Sequence, residues 1–306
     1  MRQQTFGGIM LAIATVVWGT ALVAQRMGSD SVGPFTFNAV RFGIGAVVLL
    51  PLLLCKKPRA HGGSHTDGAP SDSRTLLRGG LLCGGLLFLN ASLQQTAIAH
   101  TTVGKAGFIT SLYILIVPLL SWLRGRQLAP VTWGCVAAAA IGLYLLCMDE
   151  SLTLGFGDTL VLLCAFTTSL HILAIGHFAA KADAIRLSVL QFLVCGMLSL
   201  PAALLLETIT LPALRSAAVP ILYTGVLSCG IAYTLQTVGQ KTVSPVAAVL
   251  ILSLESVFSV LSGWLVLGET LNAKEIAGCA ILFAAVLLSQ FAALRQERAG
   301  AGFIQI

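Results

Sequence analysis

Residues 33–54 read GPFTFNAVRFGIGAVVLLPLLL, and residues 186–206 read RLSVLQFLVCGMLSLPAALLL. Each run is long enough to cross the hydrocarbon core of a bilayer, roughly 30 Å thick, which takes about 20 apolar residues in a helix. The first carries Arg41-Phe42 and then Pro51; the second carries Gln191-Phe192 and then Pro201, at the same offset along the chain. One pattern therefore occurs twice, and each copy is a membrane span.

Working outward from these two runs, ten segments have the length and apolarity of a span: 4–24, 33–54, 77–98, 103–123, 129–148, 158–179, 186–206, 217–239, 243–267 and 275–294. Of the 306 residues 57% are hydrophobic and 10% charged, where a soluble domain carries about 25% charged residues. Mean hydropathy is +0.91. The chain is read as an all-α polytopic membrane protein with no separate soluble domain. Arg2 precedes an apolar stretch longer than the core of a signal peptide, so a retained first span is expected. The net charge of +6 sits in short loops between apolar runs, which speaks against a nucleic-acid partner.

Those loops also set the orientation, because Lys and Arg gather on the cytoplasmic side. With the N-terminus inside, 13 of the 18 Lys and Arg fall inside and 4 outside, and Arg41 lies within a span. Both termini are then cytoplasmic. The one long loop, 56–75, is rich in Gly and Ser and reads as a flexible cytoplasmic tether. His61 and His65 stand in it at the spacing of a metal pair, but no third ligand accompanies them, and no metal site is expected. The 8 Cys form no CxxC pair and mostly lie in apolar runs, where a thiol acts as a small hydrophobe.

The repeat continues beyond the opening pair. Gln95-Thr96 and His100-Thr101 match Gln236-Thr237 and Lys241-Thr242. Gly125-Arg126-Gln127-Leu128 matches Gly268-Glu269-Thr270-Leu271, and Gly134-Cys135 matches Gly278-Cys279. The units are 1–148 and 149–294, with a cytoplasmic tail at 295–306. Each unit has an odd number of spans, five, so the second copy inserts upside down. Inverted repeats of this kind are a mark of secondary transporters, in which two related halves exchange conformations to expose a site alternately to either side.

The chain also resembles a known family, the bacterial EamA-type transporters of the drug/metabolite transporter (DMT) superfamily, over nearly its whole length. The likeness rests on Trp18-Gly19, Arg41-Phe42, Gly104-Lys105-Ala106-Gly107-Phe108-Ile109, Leu112-Tyr113 and Val117-Pro118. In the second unit it rests on Leu254-Glu255-Ser256-Val257-Phe258, Gly263-Trp264-Leu265 and Leu267-Gly268-Glu269-Thr270-Leu271. Ser256 stands where the family often has Pro, and Gly125-Arg126 where it often has Gly-Glu. The resemblance implies ten transmembrane helices, as two inverted five-helix repeats, around a central cavity. It implies a bacterial inner membrane and, most commonly, export of amino acids or similar metabolites.

Two charges lie well inside spans, Arg41 and Glu255, and a buried charge in a membrane must face a cavity or a partner. Glu255 is near the middle of its span. It serves either as a coupling or substrate-binding carboxylate, or as a structural one bonded to a neighbouring helix. Arg41 can hold a substrate carboxylate with its planar fork, bond carbonyls, or pair with Glu255. Asn90 and Gln94 share a helix face, as do Tyr233 and Gln236, Trp18 and Gln25, and Thr167 and His171. Trp18, Tyr113, Tyr233 and Trp264 offer aromatic walls. For each of these the alternative to lining a cavity is bonding between helices or anchoring at the interface. Gly80 and Gly84 form a small-xxx-small pair that favours close helix contact, and Pro118 frees a carbonyl within its span.

No Walker A, GxSxG or HExxH sequence occurs, so neither ATP hydrolysis nor enzyme chemistry is expected, and no cofactor. The leading reading is a secondary exporter of small polar metabolites, with proton coupling open and a monomer sufficient. Uptake of a vitamin, nucleoside or other metabolite is the alternative within transport. A membrane enzyme or sensor on the same scaffold is the alternative outside it.

Overall fold

The computed structural model describes residues 2–55, 73–101, 103–147, 155–262, 265 and 272–301. Among these every regular element is a helix. The first unit contributes α1 (Arg2–Ser29), α2 (Pro34–Cys55), α3 (Ser73–Ala97), α4 (Val103–Thr110), α5 (Tyr113–Leu123) and α6 (Pro130–Cys147). The second contributes α7 (Phe156–Ala179), α8 (Ala184–Leu206), the short α9 (Leu211–Ser216) and α10 (Ala218–Tyr223). A π-helical stretch (Thr224–Tyr233), α11 (Thr234–Gly239), α12 (Pro245–Leu252), α13 (Leu254–Ser262) and α14 (Ala273–Ala301) complete it.

Eight helical stretches are long and apolar enough to cross a membrane: Gln3–Ser29, Pro34–Leu54, Ser73–Ala97, Ala106–Leu123, Phe156–Ala179, Ala184–Leu206, Ala218–Gly239 and Pro245–Ser262. They match eight of the ten expected spans. The fifth expected span falls on α6, whose apolar part is the shorter Pro130–Leu145. The tenth falls on α14, whose backbone stays helical to Ala301, into the segment expected as a tail. The long loop, with His61 and His65, lies outside the described residues up to Ser73, and so does Trp264.

Helix ends follow local chemistry. Pro34, Pro130 and Pro245 open α2, α6 and α12, where a missing N–H costs nothing. Asp183 accepts from the N–H groups of Ile185 and Arg186 at 3.0 Å and starts α8. The first turn of α2 is satisfied from a distance. Glu207, at the end of α8, accepts from Phe35 N and Thr36 N at 2.8 Å and from Thr36 Oγ1 at 2.6 Å. One carboxylate thus joins the two helices that carry the opening sequence pair.

These helices also pack along their length: α2 lies on α8, α3 on α7 and α8, α6 on α14, and α1 on α13 and the π stretch. Lipid gives helices no hydrophobic reason to associate, so close approach and dispersion hold them together. Gly84 shows how close the approach is. A Cβ there would stand 2.5 Å from Val194 Cβ and 2.9 Å from the backbone oxygen of Gln191, whereas one at the next residue, Gly85, would meet nothing within 4 Å. Gly84→Ala is therefore expected to destabilise the fold by about 1–3 kcal/mol through overpacking. Gly85→Ala should be neutral or gain up to about 1 kcal/mol from helix propensity. Thermal unfolding of the two variants in detergent checks the contrast.

Candidate functional site

The spans lettered by α4–α5 and α12–α13 are both interrupted mid-way, and the interruptions face each other. At Ser111-Leu112 the backbone tightens into three-residue turns, with Leu112 N bonding Ile109 O at 3.2 Å and Ile114 N bonding Ser111 O at 3.0 Å. At Ser253 the same happens, with Ser256 N bonding Ser253 O at 3.2 Å and Ser253 Oγ donating to Leu250 O at 2.7 Å. Ser111 Oγ and Ser256 Oγ share a hydrogen bond of 2.8 Å across the gap. Ser256, at the position where Pro was the family's common choice, supplies that cross-link.

Beside the breaks lies a narrow cavity with a volume of ≈ 50 Å³. Of the residues singled out in the sequence, nine line it together with Gln25: Trp18 from α1, Arg41 from α2, Asn90 and Gln94 from α3, Tyr113 from α5, His171 from α7, Tyr233 from the π stretch, Gln236 from α11 and Glu255 from α13. Thr110, Thr168, Ile172, Ser228 and Leu252 complete the lining. The pairing of Thr167 with His171 needs correction. Thr168 faces the cavity, while Thr167 Oγ1 bonds back to Leu163 O and Cys164 O on its own helix. Ser228 escaped notice for a physical reason. It stands five residues before Tyr233, a spacing that shares a face in a π-helix and not in an α-helix.

Arg41 is 2% exposed and held on three sides. Its Nε donates to Asn38 Oδ1 at 2.9 Å, and the guanidinium lies 4.8 Å from the Phe42 ring centre and 5.5 Å from that of Phe37. With Nε so engaged, the terminal nitrogens of the fork are the donors that can serve the cavity. Glu255 lines the same cavity, yet among the described residues no hydrogen bond or ion pair joins it to Arg41. The pairing envisaged from the sequence is not formed, and the guanidinium and the carboxyl group line one space separately.

Tyr233 is the centre of an aromatic wall. Its ring meets Trp18 edge-on at 4.8 Å, with His171, Phe192 and Phe42 at 6.3, 6.2 and 6.1 Å. His171 Nε2 donates to Gln191 Oε1 at 3.0 Å, which holds the imidazole at the cavity wall. Gln191 is thus the structural counterpart of the residue it matches in the repeat, Arg41, at one remove from the cavity. The indole N–H of Trp18, the hydroxyls of Thr110 and Tyr113, and Oε1 of Gln25 and Gln236 are buried with no hydrogen-bond partner among the described residues. Such atoms are costly unless something in the cavity bonds them.

Interrupted apolar helices enclosing a polar cavity lined by a buried arginine and a buried carboxyl group define a polytopic membrane protein built around a small-molecule site. The chain belongs to the EamA-like transporter family, whose profile matches residues 5–148 and again 155–291. It is a multi-pass membrane transporter of that family. It is 28% identical over 287 residues to an uncharacterized transporter of Archaeoglobus fulgidus, covering 94% of this chain and 86% of that protein. A solved crystal structure, 21% identical, superimposes with a TM-score of 0.74 over 95% of this chain and 98% of the other, and speaks for the fold.

Replacing Gln191 with Leu leaves the buried His171 N–H without its acceptor. The expected cost is about 1–3 kcal/mol of stability. A lowered thermal midpoint in detergent checks it, with Gln191→Glu, which keeps an acceptor at that point, as the comparison.

Proposed function

We propose that the chain is a secondary exporter of amino acids or similar zwitterionic metabolites, working by alternating access between two inverted five-helix halves, 1–148 and 149–294. The observation that carries this reading is the joint presence of Arg41 and Glu255 on one cavity, unpaired with each other. A zwitterion satisfies both. Its carboxylate takes the guanidinium fork, and its ammonium takes the Glu255 carboxylate. The side chain then rests on the wall of Trp18, Tyr113 and Tyr233, while Asn90, Gln94, His171 and Gln236 bond or shape the rest.

The breaks at Ser111-Leu112-Tyr113 and Ser253-Leu254-Glu255 support the inverted halves, because matching spans of the two units are interrupted at matching residues. Discontinuous helices at the cavity let each half rock about a fixed site. With both termini cytoplasmic in a bacterial inner membrane, Glu255 also suits proton coupling, since a carboxylate that binds either the ammonium or a proton exchanges one for the other. The site is complete in one chain, so a monomer suffices.

Reconstituted in liposomes, the protein should release labelled amino acids faster than empty vesicles do, and a pH gradient should change that rate. Glu255→Gln should keep some flux and lose the gradient dependence. Arg41→Gln should lower flux of zwitterions at least tenfold and affect neutral solutes far less. Flux of none of the amino acids by folded protein overturns the substrate reading.

A further inference from the structure

A second cavity, sharing no lining residue with the first, opens beyond it at the C-terminal ends of α7 and α11. It has a volume of ≈ 450 Å³ and is lined by Arg124, Arg126, His177 and Lys241, with Ser121, Thr242 and Ser244 among the neutral groups. No Asp or Glu lines it among the described residues. The partition from the central cavity is Gln240, 2% exposed, whose Nε2 donates to Ile172 O at 3.1 Å.

The groups that line the pocket are held in place from three directions. Arg124 ends α5, and Gly125, with φ of 82°, turns the chain back so that Gly125 N bonds Trp122 O at 2.8 Å and Arg126 N bonds Ser121 O at 3.1 Å. That pair of bonds closes the helix end and sets both arginines at the rim. His177 comes from α7, with Lys181 Nζ 3.1 Å from its Nε2, which adds a further cation beside the pocket. Lys241 comes from the turn before α12, whose first residues, Ser244 and Pro245, also line the space. Basic loops at one side of a membrane protein are ordinary; basic side chains converging from three elements on one concave space without a carboxylate are not. Their mutual repulsion is relieved by an anion.

We propose that this pocket binds a phosphate ester. Three permanent cations exceed what one carboxylate needs and match a phosphate, which takes charge-assisted bonds on several oxygens at once. The volume leaves room for the organic part of the ester. The phosphate can belong to the headgroup of an anionic phospholipid or to a soluble ester, and the chemistry at the arginines is the same.

The test uses the full chain in nanodiscs. In one arm, discs containing phosphatidylglycerol are compared by native mass spectrometry with discs of phosphatidylcholine alone. In the other, inorganic phosphate and glycerol phosphate are titrated against protein in phosphatidylcholine discs, at constant ionic strength held with chloride, and the thermal midpoint is read. A combined Arg124→Gln, Arg126→Gln, Lys241→Gln variant and a charge-keeping Arg124→Lys, Arg126→Lys variant run beside the wild type. Retained phosphatidylglycerol that falls at least tenfold in the Gln variant and survives in the Lys variant supports the proposal with a lipid source. A phosphate-dependent rise in midpoint that shows the same pattern supports it with a soluble one. Binding in neither arm, or binding that the Gln variant keeps, overturns it.

Discussion

A bilayer core offers no water to a peptide group, so every N–H and C=O within it must find a partner in the protein. That constraint makes each described span a helix, and it decides where a helix can stop. Ser111-Leu112 and Ser253 interrupt two spans at the cavity because tightened turns and serine hydroxyls re-satisfy the freed groups there. The Ser111–Ser256 bond then ties the two interruptions to each other, so that each break protects its partner. The π stretch of Thr224–Tyr233 is a third local departure, and it too borders the cavity.

The same cost governs the side chains. Arg41 is affordable in this setting because Asn38 and two aromatic rings hold it while its fork keeps polar company. Anchoring Nε also keeps Arg41 from collapsing onto Glu255, and the cavity keeps the guanidinium and the carboxyl group on its wall. The atoms around it with no hydrogen-bond partner among the described residues, on Trp18, Thr110, Tyr113, Gln25 and Gln236, form a recognition surface for a small polar molecule.

The two ends of the bundle are fastened differently. At one end Glu207 caps α2, Thr101 Oγ1 donates to Asp158, and Arg26 donates to Ile98 O, so charged groups join several helices. At the other end Thr242 Oγ1 donates to Gln3 O and Gln240 closes on Ile172 O, and beyond Gln240 the basic pocket opens.

Composition and apolar run length sufficed for the membrane class, the helical content and the positions of eight spans, because transfer of a side chain into lipid is a property of that residue and its neighbours in sequence. The few polar residues inside those runs were equally legible, since each is too costly to be there without a partner, and most of those that stood out line the central cavity, Thr167 excepted. What the sequence left undecided was every choice between partners. Whether Arg41 meets Glu255 or Asn38, whether Thr167 or Thr168 faces inward, and whether His171 is a site or a packed donor depends on helix rotation and on distances between segments far apart in the chain. Ser228 was hidden by a change of helical period, and the basic pocket by the scatter of Arg124, Arg126, His177 and Lys241 over three elements. Lipid solvation is local and additive, so sequence determines it; packing and charge pairing act between segments, so only the tertiary structure decides them.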